Sequence, residues 1–371
     1  MKILHLDFDD LKNPMGGGQA VRTFEINRQL AKRHQITVVT STYPGAKDEK
    51  IEGIQYIRIG KKSFPWNFLA FLAKTPQIVK KYRHDLVIEN FIPPIGPALT
   101  PLFTKKPVIA MVDWAFAWEM SKKYKLPFFL WQDIGIKLYK NFIFPTQAIR
   151  KYLLKGSEKN KNIFVAPNLA LTDFYEKPKQ EKLSDYILFI GRLDIHQKGI
   201  DLLLRAYRQV LETKKIPLII AGDGRDKKKI QKEIKKLGLE RNVTLIGSVK
   251  GEEKYKFFQN AKIVCIPSRY ETGCLVALEA LAYGKVIVAF DIPVLKETTQ
   301  NQAVYAKAFD TNDYAQKILY AYQNAAKIAS KIKIKPLPTW EEIAKKQEEF
   351  YFACRRQIQI GGADFSQKNQ P

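Results

Sequence analysis

Pro267-Ser268-Arg269-Tyr270-Glu271-Thr272-Gly273-Cys274-Leu275-Val276-Ala277-Leu278-Glu279-Ala280-Leu281-Ala282-Tyr283-Gly284 is the stretch whose reading decides the fold. The apolar run 262–266 before it reads as a buried parallel strand, which Pro267 ends. Residues 275–283 are good helix formers closed by Gly284. Glu271 therefore falls in the loop before a helix, and Glu279 lies about a turn inside it. The helix N-terminus between them offers free N–H groups and a positive dipole end, a seat for an anion such as a diphosphate. Carboxylates only accept hydrogen bonds, so two of them flanking such a seat call for a ligand rich in hydroxyls. A nucleotide sugar carries hydroxyls on both sides of a diphosphate.

Strand, turn and helix alternate on both sides of this stretch. Residues 2–7 form a buried-strand pattern, followed by Gly16-Gly17-Gly18, a helix over 19–33 and a strand over 36–40. That is the opening of a doubly wound α/β sheet, with the glycines at the ligand-binding edge. The spacing is not G-x-G-x-x-G and no acid follows the second strand, which argues against a nicotinamide enzyme. Further strands are expected at 85–89, 107–112, 142–145 and 163–166, and a polar, charged linker at 171–184.

A second sheet opens with the strand 186–190 and Gly191-Arg192-Leu193-Asp194, and Lys198-Gly199 precedes a helix over 200–213. Two cations thus stand at one sheet edge. A departing diphosphate needs such charge, and Arg forks onto phosphate oxygens while Lys acts as a mobile point charge. Strands follow at 217–221, 243–246 and 286–290, then a helix over 309–325 and a capped one from Thr339-Trp340-Glu341-Glu342 to 358.

Taken together, Glu271 through Glu279, Gly191-Arg192-Leu193 with Lys198-Gly199, and the triple glycine resemble the retaining glycosyltransferases of family four (group 1). The resemblance implies an α/β GT-B fold: two Rossmann-like doubly wound domains facing a central cleft. The domains would be 1–172 for the acceptor and 173–338 for the nucleotide sugar, with a terminal helix 339–360 returning to the first and a disordered tail 361–371. It implies sugar transfer with retention from a nucleotide-sugar donor to a glycan or lipid-linked acceptor in cell-envelope synthesis, of the hexosyltransferase type, with no cofactor and no metal. Glu271 would contact the sugar, Glu279 the ribose, and Arg192 and Lys198 the diphosphate. Backbone at Gly273, Cys274 and Leu275 would reach the phosphates, Ser248 and Val249 the base, and Gly16, Gly17 and Gly18 the acceptor. Where the family commonly places a catalytic histidine, this chain has Met111-Val112-Asp113-Trp114, so Asp113 or Val112 stands near that place. It also has Glu271-Thr272-Gly273-Cys274 where Glu-Gly-Phe-Gly is usual, and Asn168-Leu169-Ala170-Leu171 where Asn-Gly-x-Asp is usual. A non-catalytic sugar-nucleotide-binding relative is the alternative.

The 371 residues carry 62 Lys and Arg against 37 Asp and Glu, a formal net charge of +25. Such an excess suits an anionic partner. Nucleic acid is not expected, since ordered α/β motifs replace the basic, base-stacking face it needs. Residues 61–83 instead mix six cations and no acid with Phe64, Trp66, Phe68 and Phe71, a pattern suited to an anionic membrane surface. Pro65 suits that segment's first helical turn, and Pro76 is expected to break or restart it. Three cysteines lack metal or disulfide spacing, no signal peptide is evident, and no run reaches roughly 18 apolar residues. The expectation is a cytoplasmic protein, peripheral on the inner face of the cytoplasmic membrane.

Overall fold

A computed structural model describes residues 1–13, 17–60, 66–92, 99–167, 185–335 and 337–363, the last six without their side chains. The chain divides into two compact units, Met1–Pro167 with Pro338–Pro371, and Asn168–Leu337. The expected linker, 171–184, lies outside the described residues.

The first unit holds an eight-stranded sheet. Its strands are β1 (Lys2–Leu6), β2 (Gln35–Ser41), β3 (Glu49–Ile51), β4 (Ile54–Ile59), β5 (Leu86–Phe91), β6 (Val108–Val112), β7 (Asn141–Phe144) and β8 (Asn162–Val165). They lie in the order β3-β4-β2-β1-β5-β6-β7-β8. All pairings are parallel except the β3–β4 hairpin. Central strands of a parallel sheet are covered on both faces, so β5 and β6 are buried at every residue. Each large aliphatic side chain so buried contributes roughly 1.5–3 kcal/mol.

The second unit holds β9 (Ile187–Ile190), β10 (Leu218–Ala221), β11 (Val243–Gly247), β12 (Ile263–Ile266), β13 (Val286–Phe290) and β14 (Val304–Ala306), in the order β11-β10-β9-β12-β13-β14. The Ile200–Thr213 helix covers this sheet with Leu203, Ala206, Tyr207 and Val210, the 3.6-residue stripe visible in the sequence. Strand order reverses beside β1 in one sheet and between β9 and β12 in the other. At such a switch point the connections leave to opposite faces and open a crevice at the carboxyl edge.

Several elements differ from the sequence-based expectation. Strands β3, β4 and β14 and the Gly251–Asn260 helix were not expected. The Trp66–Lys81 helix runs through Pro76 unbroken. A proline removes one helical hydrogen bond, and buried Phe71 and Thr75 before it and Ile78 and Val79 after it hold the helix on the sheet. The last helix spans Trp340–Ala363, three residues beyond the expected 360, and belongs to the first unit.

Candidate functional site

In the second unit the site residues converge where β9 and β12 end. Asp194 caps the short turn after β9, its Oδ1 accepting from the Gln197 N–H at 3.1 Å. The chain then turns at Gly199, where φ is +63° and an added Cβ would lie 2.0 Å from the Pro267 carbonyl oxygen. No other residue lets these two loops approach so closely. The Arg269 N–H donates to the Gln197 carbonyl at 2.8 Å, and its guanidinium forks onto Asp201 with two 2.8 Å bonds. So fixed, the loops bring Lys198 Nζ to 2.5 Å from Glu271 Oε1. Ser268 Oγ donates to the same oxygen at 2.7 Å. Glu271 is 4% exposed. Arg192 is exposed beside them, one nitrogen donating to Gln197 Oε1 at 3.2 Å.

Gly222 repeats the device on the other side. Its φ is +151°, and a Cβ there would meet the Gly191 carbonyl oxygen at 1.9 Å. The loops after β9 and β10 therefore stack, and the Gly222 N–H donates to the Gly247 carbonyl at 2.6 Å. Beyond Gly247, Ser248 is exposed and Val249 buried.

Gly273 and Cys274 are buried at the entrance to the Leu275–Ala282 helix, with no side chain capping it. The first N–H groups of a helix have no intrahelical acceptor, so this end suits an anion. Burial pushes the Cys274 thiol up, away from the thiolate form. Glu279 is 4% exposed and pairs with Lys254 of the Gly251–Asn260 helix through Oε1. Its Oε2 finds no hydrogen-bond partner among the described residues. Burial raises the Glu279 pKa, and Lys254 opposes that shift. An unpaired buried acceptor is costly, and a ligand hydroxyl would satisfy it.

The corresponding edge of the first unit is acidic. Asp7 follows β1 and accepts from Thr23 Oγ1 at 2.6 Å and the Asp9 N–H at 3.0 Å. Gly17 N–H lies 3.4 Å from Asp9 Oδ2, Gly18 begins the Gly18–Leu30 helix, and Gly16 lies outside the described residues. Asp113, not Val112, brings a polar group to the edge, since Val112 is the fully buried last residue of β6. Asp113 Oδ1 stands 3.9 Å from buried Arg22, and its Oδ2 has no hydrogen-bond partner among the described residues. Burial raises the Asp113 pKa to about 7, against the pull of Arg22. Burial also raises that of Asp7, which faces Asp9. His5 does not replace the missing histidine. It is buried in β1 between Asn90 and Asn27, both at 2.8 Å, and desolvation lowers its pKa to about 4.

The sequence reading gave no site role to Lys254, Ser268, Arg269, Arg22 or Asp7. Ser268 and Arg269 lie inside the quoted stretch, so their position was a usable signal. Lys254 and Arg22 reach their partners only through the fold.

Two family sequence models match adjoining parts of the chain, "Glycosyltransferase Family 4" over residues 16–172 and "Glycosyl transferases group 1" over 172–335. An uncharacterized glycosyltransferase of Methanocaldococcus jannaschii is 33% identical over 172 residues, 44% of this chain and 44% of its own length. The alpha-monoglucosyldiacylglycerol synthase of Streptococcus pneumoniae is 26% identical over 194 residues, 48% of this chain. The chain matches 44% of the length of each of these relatives. The solved structure of Anabaena HepE in complex with UDP-glucose matches with a TM-score of 0.67 at 17% identity, over 98% of this chain and 100% of that one. At that identity the likeness is one of fold.

Proposed function

Because this chain belongs to the group 1 glycosyltransferases of family four, with the GT-B fold, we propose that it moves a hexose from a nucleoside-diphosphate donor to an acceptor hydroxyl, with retention. One observation carries the reading. Lys198, Glu271 and Ser268 are joined at the switch point of the second sheet, and Arg192 stands exposed beside them. The cations and the helix N-terminus suit a diphosphate, and the buried carboxylates suit the hydroxyls of the groups it joins.

In this reading the diphosphate lies over the start of the Leu275–Ala282 helix, between Arg192 and Lys198. The ribose hydroxyls fill the open Oε2 of Glu279. The donor's C1–O bond breaks with its electron pair passing to the diphosphate, whose growing charge the two cations neutralise. The acceptor oxygen bonds C1 on the face the diphosphate leaves, and its proton passes to the departing phosphate oxygen, which has taken up the electron pair of the broken bond. Glu271 holds the sugar hydroxyls. Its contact with Lys198 keeps both side chains placed for the donor. These residues suffice for the charge chemistry, so no cofactor or metal is invoked. On the first unit, Asp113 and the loop at Gly17 would hold the acceptor hydroxyl.

A lipid-linked or glycan acceptor of the cell envelope fits best, since one relative is by name a glycolipid synthase. The basic segment 61–83 suits approach to an anionic membrane face. Its residues 61–65 lie outside the described ones.

Calorimetric titration with nucleoside diphosphates tests the donor site. Binding is expected, and Arg192→Ala and Lys198→Ala should each weaken it about tenfold, or about 1.4 kcal/mol. Wild-type affinity in the double variant would remove the assignment. Binding without turnover toward any acceptor would favour a non-catalytic relative.

A further inference from the structure

We propose that Lys254 is a positioning residue for the donor nucleotide: it engages one oxygen of Glu279 and leaves the other, Oε2, to the ribose, so that the site selects ribonucleoside over 2′-deoxyribonucleoside diphosphates. The inference rests on the donor-site reading above. It adds a residue from outside the motif, on the Gly251–Asn260 helix.

That helix and the Leu275–Ala282 helix meet through matching pairs of residues. Lys254 and Phe258 are four apart in the first, and Glu279 and Tyr283, which closes the second, are also four apart. Residues at that spacing share a face. The Phe258 and Tyr283 rings stack with centroids 6.1 Å apart at 3°. One turn earlier in both helices, Lys254 meets Glu279 Oε1. Tyr255 sets a second ring against Tyr283, at 6.4 Å. At the other end of the Gly251–Asn260 helix, Lys285 Nζ donates to the Gln259 carbonyl at 2.6 Å. Exposed ion pairs between mobile side chains contribute little. This pair is instead presented by two helices already fixed against each other.

Its place is that of the nucleoside. The Gly251–Asn260 helix begins just past Ser248 and Val249, the residues expected at the base. The Leu275–Ala282 helix begins at the seat expected for the diphosphate. The ribose is the group that joins base and diphosphate, and the ion pair joins these two helices.

The two oxygens of Glu279 are unequal. Lys254 takes Oε1, while Oε2 has no hydrogen-bond partner among the described residues, although the side chain is only 6% exposed. A carboxylate accepts from hydroxyls through either oxygen, and a protonated carboxyl loses part of that capacity. Burial favours the protonated form of Glu279, and Lys254 opposes it. The other ionisable groups at this end do not replace Lys254. Glu271 and Lys198 pair with each other, and burial holds the Cys274 thiol neutral. Loss of the ammonium therefore frees the Glu279 side chain to turn and moves its protonation to higher pH. Nucleotide affinity then becomes weak at low pH and recovers as pH rises.

Calorimetric titration of the full chain tests this with uridine, adenosine and guanosine diphosphates, and with the 2′-deoxy analogue of whichever binds best. Wild type should prefer the ribonucleotide about tenfold. Lys254→Met should lose about tenfold in affinity and most of that preference near pH 6, and should regain both toward about pH 8. Ionisation of the terminal phosphate near pH 6 is common to both proteins and cancels in their ratio. Recovery at high pH also shows the variant to be folded. Lys254→Arg should keep the affinity and the flat profile. In a Glu279→Gln background, Lys254→Met should add almost nothing, because Lys254 acts through Glu279. Wild-type affinity, preference and pH profile in Lys254→Met would overturn the inference while the donor site stands. So would an equal loss in the Glu279→Gln background. Failure of the wild type to bind any nucleoside diphosphate would remove the donor-site reading and this inference with it.

Discussion

Asp113 directly follows β6 at the edge of the first sheet, and burial raises its pKa to about 7, close to that of an imidazole. The two groups differ in charge, so the pH dependence distinguishes them. A carboxyl whose folded pKa is raised binds its proton more tightly folded than unfolded. Its stabilising contribution is full below the unfolded value of 3.8 and is lost as pH rises through about 7. Stability of the first unit should therefore fall across that window, and Asp113→Asn should flatten the fall. Denaturant titrations at several pH values measure this, and an unchanged profile in the variant would show that Asp113 is not the titrating group. Transfer should rise with pH over the same range if ionised Asp113 holds the acceptor hydroxyl. Glu271, Glu279, Arg192 and Lys198 were legible in the sequence because their neighbours fix their setting: a strand end, a glycine or the start of a helix. Lys254, about 25 residues from Glu279 in the chain, sits on a helix that closes over the site only when the sheet forms, and no local pattern announces that.

At the scale of elements, the stacked loops make the site. Gly199 and Gly222 let the ends of β9, β10 and β12 touch backbone to backbone, which is how Lys198 reaches Glu271. Gly199→Ala places a Cβ against the Pro267 carbonyl oxygen at a left-handed φ. That should cost about 1–3 kcal/mol of second-unit stability and weaken nucleoside diphosphate binding as well. Thermal unfolding with and without nucleotide checks both, and a wild-type melting temperature would show that the loops are not in register there. The buried parallel strands were legible because near-continuous aliphatic runs have few other uses. Strand β4 was missed although Ile54 and Tyr56 alternate inward in it. Its flanks are polar, and antiparallel β3 is only three residues long. Strand β14 is equally short, and its burial comes from the Thr311–Gln323 helix rather than from its own composition.

On the scale of the whole chain, each unit has its own sheet and core, and the polypeptide leaves the first unit at Pro167 and re-enters it at Pro338. The terminal helix then packs along the Gly18–Leu30 helix. Glu348 receives Arg33 at 2.7 Å and also bonds His34. Composition points to anionic partners only in general terms and not to the face that would meet them, since lysines are spread over both units. The division of labour proposed for the units depends on the donor half acting through Glu271. The most direct measurement is release of nucleoside diphosphate from a nucleotide sugar by Glu271→Gln, alongside its nucleoside diphosphate affinity. The substitution keeps side-chain volume and an acceptor for Ser268. The account predicts nucleotide affinity near that of wild type and turnover lower by about a hundredfold or more. Wild-type turnover with intact binding would contradict it.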